Sequence, residues 1–174
     1  MGTSERIDEA QATFETNSPA ETMAVAAQFA RHCQPNDVVG LTGTLGAGKT
    51  CFVKGMARGL EVEDLRQVTS PTFVLLQQYS GRYTLHHFDA YRLESADSME
   101  EIGCEEIFDS GGVTVIEWAD HVARCLPEEH FLWHLHIDGP RRRRLTLGAR
   151  GIGPVRRLPA INRDLEKRTH GQDE

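Results

Sequence analysis

The chain of 174 residues predicts an α/β fold built on a mixed sheet. Three observations lead there. Apolar stripes at helical spacing recur along the chain, between short β-rich runs. Two of those runs, Val38-Val39-Gly40-Leu41 and Val113-Thr114-Val115-Ile116, lack the polar alternation of a strand with one wet face, so they read as central strands. Two others are separated by the turn signal Ser80-Gly81-Arg82 and read as an antiparallel hairpin. Helices mixed with both central and hairpin strands define the class.

The elements follow in order. Residues 1–17 are polar and acidic and are expected to be a flexible leader. Ser18-Pro19-Ala20-Glu21 is a capping box with proline at the first helical position, and Met23, Ala26, Ala27 and Ala30 form the stripe of the helix that it opens. The strand Val38–Leu41 comes next. Phe52, Val53, Met56, Ala57 and Leu60 then mark a second helix. Phe73–Tyr79 and Tyr83–Asp89 form the hairpin. Residues 97–108 are acidic and helical with a break near Gly103, Val113–Ile116 is a strand, and a short helix spans Asp120–Cys125. Phe131–Ile137 and Leu145–Leu147 are strands. Beyond Ala149 the chain is rich in Gly, Pro and charge, so residues 150–174 are expected to be a flexible tail and residues 18–149 the domain.

Composition narrows the function. No apolar run approaches the roughly 20 residues of a membrane span, and residues 1–16 lack the apolar core of a secretory signal. The four cysteines, Cys33, Cys51, Cys104 and Cys125, have no C-x-x-C or zinc spacing and are expected to be reduced thiols in a cytoplasmic protein. A net charge of -7 argues against a protein whose own task is to grip a phosphate backbone.

Between the first central strand and the second helix, Gly43-Thr44-Leu45-Gly46-Ala47-Gly48-Lys49-Thr50 reads G-x-x-x-x-G-K-T. In such a phosphate-binding loop, backbone N–H groups line a nest for phosphate oxygens. Here Lys49 would neutralise the β- and γ-phosphates, and the Thr50 hydroxyl can ligate Mg²⁺. The strand before the loop and the helix after it are the context this motif requires. Binding alone is not hydrolysis, which also needs a carboxylate for the metal and a group to orient water. Asp89 and Glu117 end apolar β-runs, Glu117 at the position of a Walker-B acid. Ser70-Pro71-Thr72 lies where nucleotide switches place a hydroxyl toward the γ-phosphate. Asp109-Ser110-Gly111-Gly112 matches D-x-x-G, but it precedes its strand and no N-K-x-D guanine reader accompanies it, so a GTP switch is set aside.

G-x-L-G-A-G-K-T, V-x-S-P-T-F (Val68 to Phe73), H-F-D-x-Y-R (His87 to Arg92) and I-E-W (Ile116 to Trp118), in this order, resemble the TsaE family, formerly YjeE. The likeness runs from about Ser18 to Ala149. It implies a P-loop NTPase-like, three-layer fold with a mixed, largely parallel central sheet. It also implies an ATPase that binds ATP or ADP with Mg²⁺, hydrolyses slowly alone, and resets a TsaD/TsaB complex that installs threonylcarbamoyladenosine in tRNA. Contact with tRNA would be indirect, through that complex. On matching positions, Thr44, Leu45, Gly46, Ala47, Gly48, Lys49 and Thr50 would hold the nucleotide, joined by Thr22 and Arg141. Thr50 and Glu117 would hold Mg²⁺, and Asp89 would orient water or serve as a second acid. Ser70 and Thr72 would form the switch, and Trp118 would shape the site beside Glu117. Thr44 stands where members usually carry Asp, and Ala119 where they carry Pro. The run Arg141-Arg142-Arg143-Arg144 leaves an alternative open, a small-molecule kinase that uses the arginines as a lid over the phosphates.

Overall fold

A computed structural model describes residues 11–71, 75–93 and 97–170. Seven strands form one sheet in the order β1-β7-β6-β2-β5-β4-β3. They are β1 (Ala12–Thr16), β2 (Val38–Thr42), β3 (Leu76–Tyr79), β4 (Leu85–Asp89), β5 (Val113–Glu117), β6 (His130–Ile137) and β7 (Arg143–Arg150). The four at the centre, β6, β2, β5 and β4, run parallel, while β3, β7 and β1 pair antiparallel outside them. β4 and β5 are buried at every residue, which is why their sequences carry continuous apolar runs rather than alternation.

Helices cover both faces, giving the three layers. On one side α1 (Pro19–Ala30), α2 (Lys49–Gly59) and α5 (Ile152–His170) pack on the sheet around Phe29, Phe52, Phe131 and Trp133. On the other, α3 (Asp97–Glu101), α4 (Cys104–Phe108) and a 3-10 segment (Ala119–Cys125) enclose Phe88, Met99, Phe108 and Ile116. Gly55 and Gly59 of α2 face α1, and a Cβ on either would lie 2.3 Å from a carbonyl oxygen of α1. That contact brings α2, and the loop before it, close over the sheet.

Both ends of the domain differ from the expected boundaries. Residues 12–16, placed in the leader by composition, form edge strand β1, with Phe14 and Thr16 turned inward in the period-2 pattern of a strand. Residues 152–170, expected as a flexible tail, form the 19-residue helix α5, whose Leu158, Ile161 and Leu165 are buried. Arg157 anchors α5 through a two-pronged pair with Asp37, each contact 2.8 Å, and a bond to the His32 carbonyl. Pro159 lies inside α5 and removes one backbone donor, so the helix owes its stability to this packing rather than to local preference. The capping box forms with a shift of one residue. Ser18 Oγ accepts from the Glu21 amide, but the Glu21 carboxylate accepts from Asn17 N–H rather than from Ser18.

Candidate functional site

β2 ends at Thr42, and the chain turns at once into the glycine-rich loop. Gly43 has φ +142°, and a Cβ there would meet the Leu135 carbonyl oxygen at 2.4 Å, so no other residue fits between loop and β6. Gly48, at φ +103°, is the N-cap of α2 and supplies no side-chain cap, which leaves the first-turn amides directed out of the helix end. Lys49 is 6% exposed. Its ammonium donates to the carbonyls of Gly43 (2.7 Å) and Thr44 (3.0 Å) and lies 3.7 Å from the centre of the Trp118 ring. Burial pulls this lysine below its usual range, opposed by the nearby carboxylates of Glu117, Asp120 and Asp89.

The two acids stand side by side. In the parallel register of β4 and β5, Asp89 pairs with Glu117, at the strand ends that open toward the loop. Asp89 is 4% exposed and Glu117 2%. Ser70 donates to Asp89 and approaches Glu117 Oε2 at 3.4 Å, while Asp89 Oδ1 accepts from the Tyr91 amide at 2.9 Å. Trp118, next to Glu117, holds a left-handed conformation (φ 59°) unusual for a bulky side chain. Its ring packs on Tyr91, 4.9 Å between centres.

These groups share one cleft of roughly 470 Å³, lined by Leu45, Gly46, Gly48, Lys49, Thr50, Cys51, Ser70, Asp89, Tyr91, Glu117 and Trp118. Residues from four separate stretches of sequence thus meet at the C-terminal end of the parallel strands, where open α/β sheets bind ligands. Among the described residues no group of three or more His, Cys, Asp or Glu could hold a metal alone. The donors present are hard oxygens, the Thr50 hydroxyl and the Asp89 and Glu117 carboxylates, and Glu117 Oε1 has no hydrogen-bond partner among the described residues. That set fits Mg²⁺ shared with phosphates rather than a dedicated protein cage.

Other expected residues lie elsewhere. Thr22 is 2% exposed and its hydroxyl is bonded to Thr16 Oγ1 at 2.8 Å, so it ties β1 to α1 and does not line the cleft. Arg141 is exposed at the β6–β7 turn and is also absent from the lining. The arginine that meets the loop is Arg143, which donates to the carbonyls of Ala47 (3.2 Å) and Gly46 (3.3 Å) and to Gly139 (2.9 Å). Arg144 pairs with Asp138 at 3.1 Å. Thr44 is exposed, and Ala47 is buried beneath the loop. Thr72 lies outside the described residues. Sequence reasoning missed Tyr91 and Arg143, although the H-F-D-x-Y-R run and the arginine run contained them. Cys51 is half-buried at the cleft, and burial raises its thiol pKa. The cysteines are all free.

Fold and loop together define a P-loop α/β protein. Residues 16–145 match the family described as "Threonylcarbamoyl adenosine biosynthesis protein TsaE". The chain is 42% identical over 132 residues to the tRNA threonylcarbamoyladenosine biosynthesis protein TsaE of Treponema pallidum (strain Nichols), covering 76% of this chain and 96% of that protein. It is 40% identical over 142 residues to the protein of the same name in Bacillus subtilis (strain 168), covering 81% and 87%. The solved structure described as "Crystal structure of Bacillus subtilus YdiB" superposes with a TM-score of 0.72 at 32% identity, covering 92% of this chain and 97% of that one. The chain belongs to the TsaE family.

Proposed function

We propose that this protein is the Mg²⁺-dependent, ATP-binding and ATP-hydrolysing subunit of a system that makes threonylcarbamoyladenosine in tRNA. The observation that carries the ATPase reading is the convergence of Lys49, Thr50, Ser70, Asp89 and Glu117 on one cleft. The tRNA role rests on family membership. In this reading the loop amides and Lys49 hold the phosphates of ATP or ADP. Thr50 and Glu117 hold Mg²⁺, which when bound neutralises phosphate charge. Asp89 orients the attacking water, with its carboxylate fixed by Ser70 and the Tyr91 amide. Ser70 bridges both acids, so a switch segment that includes Thr72 would couple the state of the nucleotide to a partner surface.

The partners in this reading are TsaD and TsaB homologues, with tRNA reached through their complex, in the cytoplasm. No helix among the described residues is long and apolar enough to cross a membrane. The kinase alternative has less support, because Arg143 is committed to the loop's own carbonyls and Arg144 to Asp138.

The test is an ATPase assay on the purified chain with and without TsaB and TsaD, alongside Lys49→Ala. Expected are little turnover alone, a rise with the partners, and loss of nucleotide binding in the variant. Unchanged ATP affinity in Lys49→Ala would refute the phosphate-loop assignment. Phosphorylation of a metabolite without partners would establish the kinase reading instead.

A further inference from the structure

Directly behind Glu117 lies a second buried polar group that the ATPase reading does not use. His87 is two residues before Asp89 on β4 and therefore on the same face of the sheet, one step deeper. It is 0% exposed. Neither of its ring nitrogens has a hydrogen-bond partner among the described residues, and neither does Glu117 Oε1. These two orphans face one another, His87 Nε2 lying 3.7 Å from Glu117 Oε1. The Tyr79 ring also neighbours the imidazole, 6.3 Å between centres.

A buried carboxylate oxygen without a donor, and a buried N–H without an acceptor, are each costly. The separation exceeds a normal N–H···O distance by only about 0.8 Å, which a small rotation of the Glu117 side chain closes. Apolar residues surround the rest of this face of β4 and β5, where a ring with no polar task would ordinarily be Phe or Leu. Groups that hold a metal are commonly oriented from behind by such a donor, and removing it costs about 10–100-fold in metal affinity or activity.

We infer that His87 is a positioning residue for Glu117: its Nε2–H holds Oε1 from the sheet side and so turns the other oxygen, Oε2, toward Ser70 and the cleft. The inference rests on the reading of Glu117 as a Mg²⁺ ligand. His87 does not line the cleft and acts only through the carboxylate.

The test measures ADP affinity by calorimetry as a function of Mg²⁺, for wild type, His87→Phe, His87→Gln, His87→Asn and Glu117→Gln. His87→Phe keeps the ring and deletes the donor. It is expected to raise the Mg²⁺ concentration for half-saturation about tenfold or more, with Mg²⁺-free ADP affinity unchanged. Gln places an amide N–H where Nε2 stands and is expected to restore Mg²⁺ dependence. Asn, whose amide reaches only the Nδ1 position, is not. Wild-type Mg²⁺ dependence in a folded His87→Phe, or Gln no better than Asn, would overturn the inference. If the variants do not fold, ¹⁵N spectra of the wild-type imidazole decide: an Nε2–H proton supports the role, and an Nδ1–H tautomer with bare Nε2 overturns it. Glu117→Gln separates the two levels. If it too keeps wild-type Mg²⁺ dependence, the metal reading of Glu117 fails; if it loses that dependence while His87→Phe does not, only the role of His87 fails.

Discussion

Replacing Leu158 by Ala asks whether the C-terminal segment is an appendage or part of the core. Leu158 is 0% exposed and belongs to the cluster that contains Phe29, Phe131 and Trp133. The substitution deletes three carbons' worth of buried surface, about 2.4 kcal/mol at about 0.8 kcal/mol per methylene. A residual cavity raises the usual cost of such changes to about 2–5 kcal/mol. With a urea m-value of about 2 kcal/mol/M, the unfolding midpoint should fall by about 1–2.5 M. The melting temperature should fall by about 4–20 °C, since each kcal/mol is worth roughly 2–4 °C at this size. Equilibrium unfolding followed by far-UV circular dichroism and by fluorescence of the buried Trp133 measures both. Arg163→Ala, on the exposed side of the same helix, should stay within about 0.5 kcal/mol of wild type. A Leu158→Ala midpoint equal to that of Arg163→Ala would mean that α5 does not pack as described, and would restore a detached tail.

Two further outcomes follow from the site and its surroundings. Glu117→Ala and Asp89→Ala should each retain ADP binding through the loop and Lys49 but lose most ATP hydrolysis, measured by phosphate release at saturating ATP; wild-type turnover in both would end the division of labour between loop and acids. Stability should also depend on His86, whose Nδ1 lies 2.9 Å from the Gln78 amide nitrogen and whose Nε2 lies 3.0 Å from Ser110 Oγ. Burial pulls His86 below its ordinary 6.5, so above pH 6.5 folded and unfolded chains are both neutral there. Below it the unfolded chain takes up the proton first, and stability falls by up to about 1.4 kcal/mol per pH unit until the folded-state pKa is reached. Urea titrations between pH 7.5 and 5 should show a shallower loss in His86→Gln than in wild type, and equal slopes would show that His86 carries none of it.

The parts of this chain that were legible in advance share a physical property: their signals are local. The phosphate loop needs glycines at fixed spacing, because Gly43 and Gly48 take left-handed backbone conformations. β2 and β5 announce themselves as apolar runs because both faces of each are covered. Asp89 and Glu117 could be singled out because each follows such a run, and the register of β4 and β5 then sets them side by side.

What was not legible depended on partners distant in sequence. β1 alternates visibly as A-T-F-E-T, but five residues beside a polar stretch carry little weight until β7 offers Leu145 and Leu147 as neighbours. α5 has Val155, Leu158, Ile161 and Leu165 at helical spacing, yet Gly151, Gly153, Pro154 and Pro159 argue locally against a helix; burial against α1 and β7 outweighs them. Thr22 was drawn toward the nucleotide by family likeness alone, and the hydroxyl of Thr16, on a strand not expected, holds it instead. Of four consecutive arginines, only the tertiary fold chooses Arg143 to brace the loop, because it stands at the start of β7 within reach of Gly46 and Ala47. By itself, then, the sequence determined the phosphate loop, the central strands and the two acids, since backbone conformation and burial pattern are written in neighbouring residues. The tertiary structure alone decided which ends of the chain join the core, which arginine meets the loop, and that His87 stands behind Glu117, since each depends on long-range packing that no local pattern encodes.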